Sequence, residues 1–74
     1  MGEIPLTDGK VGQIYHISRI DHYDNDTQKL IGLGIVPHSR ITIFREGSPY
    51  VLKYENTKIA IDQELIKKIF VYLP

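Results

Sequence analysis

The chain contains no cysteine. A disulfide framework, a thiolate zinc site and a cysteine nucleophile are therefore excluded. Charge of either sign is not in excess, since nine Lys+Arg balance nine Asp+Glu. That balance removes the simplest electrostatic route to nucleic acid, and no nucleic-acid partner is expected. The two halves differ only slightly: residues 1–37 carry three bases against five acids, and residues 38–74 carry six against four. Long apolar runs are also missing. The stretch Leu30-Ile31-Gly32-Leu33-Gly34-Ile35-Val36-Pro37 has eight residues, far short of the roughly 20 that cross a bilayer as a helix. The chain is not expected to insert in a membrane by itself. Its start, Met1-Gly2-Glu3-Ile4-Pro5, lacks the basic and apolar regions of a signal peptide, so a cytoplasmic location is expected. Leu6 stands where a myristoylation signal carries Ser or Thr. The serines are Ser18, Ser39 and Ser48, and none lies in a nucleophile-elbow pattern. Gly32-x-Gly34 has no lysine and no third glycine to make a phosphate loop. Neither catalysis nor a cofactor is expected.

Length sets a further bound. Seventy-four residues make one domain, taken here as residues 1–74, and bury only about 60–65% of the unfolded surface. A large enclosed pocket would hollow out the only core available. Within this length the elements read as follows. Gly9 and Gly12 mark turns in a mixed opening segment. Gln13–Ile20 favours extended structure through Ile14, Tyr15, Ile17 and Ile20. Ile17 has the opposite parity to Ile14 and Ile20, which predicts a bulge or a strand buried on both sides. Helix-capping residues follow in Asp21–Thr27, then a short helix over Thr27–Leu33. Gly34 is the expected left-handed stop, with Ile35 folding back onto Leu30 as in a Schellman motif. Pro37-His38 fits the centre of a type II turn, which requires φ > 0 at His38.

Arg40–Arg45 and Tyr50–Tyr54 alternate with period two and are predicted strands, separated by the turn Glu46-Gly47-Ser48-Pro49. A tight turn follows at Glu55-Asn56-Thr57, with Asn56 as the left-handed residue. Lys58–Asp62 is a third alternating strand, Gln63–Lys67 one helical turn, and Lys68–Tyr72 a last strand. Five short strands with tight connections point to a mainly β fold, a small barrel with one short helix after its first strand. Leu30, Leu33, Ile35, Ile41, Ile43, Leu52, Ile59, Ile61 and Ile69 share the predicted inner faces and form the expected core.

Three groups of residues could carry chemistry. Asp21, His22, Asp24 and Asp26 lie within six residues, but without the glycine and glutamate of a calcium loop. They read as a solvated turn into a helix cap. His16, His22 and His38 lack the i, i+4 spacing of a helical metal pair, so no metal site is expected. Tyr50, Tyr54 and Phe70 fall in strands, where packing is the commoner use of an aromatic residue. What remains is recognition of a protein through the surface. The candidate docking face is His22, Tyr23, Gln28 and Lys29 around the helix, with Tyr50 as an aromatic anchor from the strand side.

Leu6-x-x-Gly9-x-x-Gly12, Ile17-x-x-Ile20, Leu30-x-x-Leu33-Gly34-Ile35-x-Pro37, Ile59-Ala60-Ile61 and Ile69-x-Val71 occur in this order. The pattern resembles the ferrous iron transport protein A (FeoA) family over roughly residues 5–72. Its most specific piece is Leu33-Gly34-Ile35-Val36-Pro37. The resemblance implies an SH3-like β-barrel. It implies an accessory role in ferrous iron uptake, with a membrane transporter of the FeoB type as partner and no catalytic residues. The same SH3-like domain closes metal-dependent repressors, so a regulatory role is the alternative, and a small nucleic-acid-binding barrel is a more distant one. The sequence departs from the family pattern at three places: His38 where glycine is usual, the short Glu46–Pro49 loop, and Asp62 where arginine is common.

Overall fold

The computed structural model describes residues 2–21 and 24–74. In chain order the elements are β1 (Ile4–Pro5), a 3₁₀ turn (Leu6–Asp8), β2 (Ile14–Ile20), α1 (Asn25–Gly32), β3 (Arg40–Arg45), β4 (Tyr50–Tyr54), β5 (Thr57–Ile61), α2 (Gln63–Ile66) and β6 (Ile69–Tyr72). The strands form one antiparallel sheet in the order β1-β6-β2-β3-β4-β5.

Two expectations change here. The sheet has six strands rather than five, because the mixed opening segment supplies β1 against β6. Among the described residues the sheet also stays unclosed, with β1 and β5 at its two ends. β1 is only two residues long and includes Pro5, which has no N–H to offer a further strand. The helices add to the core: α2 turns Leu65 and Ile66 inward, and α1 buries Thr27 and Leu30.

The bulge predicted in β2 is present. Its pairing with β6 shifts register between Ile17 and Arg19. Tyr15 and Ile17 face inward before the shift and Ile20 faces inward after it, all three buried. Ser18, at the shift, gives its hydroxyl to Glu3 Oε2 at 2.6 Å, and Arg19 Nε reaches Glu3 Oε1 at 2.8 Å. Those two donors, the hydroxyl first, hold the Glu3 carboxyl below its usual pKa. The bulge thus anchors the segment that leads into β1.

Helix α1 starts two residues earlier than predicted, at Asn25. Asp24 is its N-cap and accepts from the N–H groups of Asp26 and Thr27, both at 3.0 Å. Thr27 Oγ1 accepts from the Asp24 N–H at 2.7 Å, which completes a reciprocal capping box. At the other end Gly34 has φ 92°. The Ile35 N–H bonds Leu30 O and the Gly34 N–H bonds Ile31 O, each at 2.9 Å. These are the two bonds of a Schellman motif, with Leu30 and Ile35 both buried.

The inner face of the sheet closes on a core that also includes Leu6, Leu65, Ile66 and Val71. Seven of the nine expected core residues belong to it. Ile59 packs partly buried against it. Leu33 does not belong and is 51% exposed. The Schellman turn brings Ile35, not Leu33, back onto Leu30, so Leu33 caps the helix at the surface. In the β4–β5 hairpin the positive φ falls on Glu55 (56°) rather than on Asn56, at the first of the two loop residues.

Candidate docking surface

The described residues include two concave surfaces that bear on function. The first lies between α1 and the end strand β5, with a volume of about 240 Å³. Its floor is apolar: Leu30 comes from the helix, Ile59 and Ile61 from β5, and Leu65 from α2. Leu33 and Lys29 rise on the helix side, and Asp26 and Asp62 line the groove as well. Ile31 (40% exposed) and Val36 (37%) are also exposed but do not line this groove.

The direction of α1 relative to β5 follows from two contacts. Lys68 Nζ lies 2.5 Å from Asp24 Oδ2, which sets the start of α1 beside the segment after α2. At the far end, a Cβ on Gly34 would stand 3.1 Å from Tyr54 Oη, and Tyr54 pairs with Thr57 at the start of β5. Helix and strand therefore run antiparallel. Lys68 first, and the Thr27 N–H second, hold the Asp24 carboxyl far below the ordinary carboxylate range. The same contact raises the Lys68 ammonium.

The second surface is a shallower trough of about 520 Å³ on the outer face of the sheet. Arg40, Thr42 and Lys53 line it with Ile14, and Glu55 stands at its rim. Close by, Lys58 Nζ sits 4.1 Å from the centre of the Phe44 ring. Along the same outer face, His38 Nδ1 lies 3.2 Å from Tyr72 Oη, and the His16 ring meets the Tyr72 ring edge-on at 5.5 Å. Two of the three histidines thus converge on one tyrosine, a meeting set by strand pairing and invisible to spacing rules. Among the described residues, no three His, Asp or Glu side chains come together as a metal cluster would require.

The expected docking residues are distributed as follows. Gln28 and Lys29 are exposed on α1, and Lys29 lines the α1–β5 groove. Tyr50 is half-buried, packed against the core and paired with Ile61. His22 and Tyr23 lie outside the described residues. Of the loop carboxylates, Asp24 caps the helix and Asp21 pairs with Arg19 at 3.3 Å. The sequence reading missed Leu33, Ala60 and Asp62 as surface residues of one groove. No spacing of these residues marks them as one surface, because the place of β5 at the end of the sheet is set by long-range pairing.

A family model described as "FeoA domain" matches residues 4–73. No protein of curated function matches the chain in sequence. Among solved structures, an iron uptake regulatory protein (FeoA) superposes with a TM-score of 0.84 at 22% identity, covering 97% of both chains. Iron(II) transport protein A of Clostridium thermocellum gives 0.85 at 26% identity, covering 95% of this chain and 45% of that one. A manganese-dependent transcriptional repressor gives 0.84 at 17% identity, with 97% of this chain aligned to 42% of the repressor. Among the described residues, no helix is long and apolar enough to cross a membrane.

Proposed function

The chain belongs to the FeoA domain family, and on that premise we propose that it is a protein-interaction module of ferrous iron uptake. Its partner is the cytoplasmic part of a FeoB-type membrane transporter, and the α1–β5 face is the working surface. The family is a small accessory domain linked to ferrous iron transport and is not a known enzyme family. The observation that carries the docking face is the exposed Leu33 beside an open groove floored by Leu30, Ile59, Ile61 and Leu65. Apolar surface of that kind, bordered by charged side chains, is a recurrent mark of protein contact. Gln28, Lys29 and Tyr50 belong to this proposal, with Tyr50 supporting the face from beneath.

The test is binding between the purified chain and the transporter's cytoplasmic domain, measured by interferometry. Saturable binding that Lys29→Glu and Leu33→Asp weaken is expected. Absence of binding, or binding indifferent to both substitutions, rejects the face. A second reading, a regulatory domain, is favoured by the likeness to the manganese-dependent repressor over 97% of this chain. It predicts altered transcription of metal-responsive genes on deletion, with transport per transporter unchanged.

A further inference from the structure

We propose that β5 is a strand-addition edge. An extended segment of the partner pairs with it antiparallel as a seventh strand, and places an apolar side chain in the α1–β5 groove with a Lys or Arg two residues before it. This deepens the docking reading and rests on it.

The pairing register shows which backbone groups are free. β4 and β5 are joined by a two-residue loop flanked by the pair Tyr54 and Thr57. Such a closing pair is hydrogen-bonded, and bonded pairs then alternate along the ladder. Leu52 with Ile59 and Tyr50 with Ile61 are therefore the next bonded pairs. Lys58 and Ala60 turn their N–H and C=O groups the other way, towards the free edge. No strand among the described residues pairs with that edge.

The two ends of the sheet are not equivalent. β1 is short and contains proline, which blunts it. β5 has five residues, no proline, and the exposed Ala60 as its fourth residue. Lysine on an edge strand commonly discourages pairing. Here the Lys58 ammonium is drawn over Phe44 on the outer face instead. The inner side of the edge opens into the apolar groove.

Charge and direction define the occupant. Asp26 and Asp62 line the groove with Lys29. Asp62 also accepts from the Leu65 N–H at 2.9 Å. Lys68, paired with Asp24, lies within charge reach of Asp26, so three acids stand against two cations. The antiparallel course of α1 sets Asp26 and Asp62 towards the C-terminal end of β5. On an antiparallel added strand, the residue opposite Ile61 comes two positions before the residue opposite Ile59. Both point to the inner side. The first meets the carboxylates and suits Lys or Arg. The second lies over Leu30 and Leu33 and suits Leu, Ile, Val or Phe. A second copy of this chain fits less well. Its own β5 would present Thr57, Ile59 and Ile61 on the inner side, with no cation for Asp26 and Asp62.

The test is selection from a displayed library of random twelve-residue peptides, counter-screened on Ala60→Pro. That substitution removes an N–H that faces the free edge and leaves the β4–β5 bonds in place. Enriched peptides should share Lys/Arg-x-apolar, shift the amide signals of Lys58 and Ala60, and bind Ala60→Pro and Leu33→Asp at least about tenfold more weakly. A peptide N-methylated at the residue facing Ala60 gives the same test without altering the protein. The proposal is overturned by a lack of enrichment, by equal binding to Ala60→Pro, or by shifts centred on Thr42 and Lys53. It is also overturned if sedimentation finds a dimer that Ala60→Pro dissociates, since the edge then serves a second copy. If the transporter domain binds wild type and Ala60→Pro alike, docking stands and strand addition falls. If enriched peptides pass every arm while the transporter domain does not bind, strand addition stands and the transporter reading falls.

Discussion

His38 has φ 76°, the value that the Pro37-His38 dipeptide predicts for a type II turn. The Ser39 N–H donates to Val36 O at 2.9 Å and closes that turn. A left-handed conformation costs an L-residue roughly 1–2 kcal/mol. Glycine would relieve this, but it loses about as much through added freedom in the unfolded chain, ~1 kcal/mol. His38→Gly also removes the contact with Tyr72. The substitution should therefore be near neutral, within about 1 kcal/mol, whereas His38→Val should destabilise by about 1–3 kcal/mol. Equilibrium urea melts of the two variants measure both values, and equal losses would contradict the turn-strain argument. Gly34 differs in kind. Its φ of 92° is joined by steric closure, since a Cβ there meets Tyr54 Oη at 3.1 Å.

At the scale of elements, the start of α1 is held by groups distant in sequence. Asp24 serves the helix cap and Lys68 together. Its depressed carboxyl gives stability that is complete above the unfolded carboxylate range, near pH 4, and is lost as pH falls below it. The raised Lys68 ammonium gives stability that is complete below about pH 10 and is lost as pH rises beyond it. The contribution of this pair should thus be complete between these limits and fall on both sides. Lys68→Met should remove its share of the alkaline fall and reduce the acid one. The acid fall should persist in part, because Glu3 is also depressed by Ser18 and Arg19. Urea midpoints measured across pH check this, and superimposable profiles for wild type and Lys68→Met would refute it. The β2 bulge acts at the same scale: its extra residue restores Ile17 and Ile20 to one face and gives Glu3 two donors.

For the molecule as a whole, the division between core and working surface decides which leucine matters. Leu30 is 2% exposed and Leu33 51%. Leu30→Ala should cost about 2–5 kcal/mol, a large fraction of the stability of a domain this size. Leu33→Ala should stay within about 0.5 kcal/mol, as surface changes usually do. A urea melt showing similar losses for the two would place Leu33 back in the core. The sequence by itself determined most of the elements and the stop of α1. Alternation marked β3, β4 and β5, the parity conflict marked the β2 bulge, and Gly34 and Pro37-His38 marked two of the positive-φ positions. These are legible because they rest on φ preferences and on side-chain period, which act within a few residues. Only the tertiary structure decided that β1 joins β6, that Lys68 meets Asp24 across 44 residues, and that β5 lies at an open edge beside α1. Periodicity states which residues share a face and is silent on what covers that face. Leu30 and Leu33 are indistinguishable in pattern until Ile35 fills the space beside Leu30. The docking groove arises from those long-range placements, and so no spacing of residues announces it.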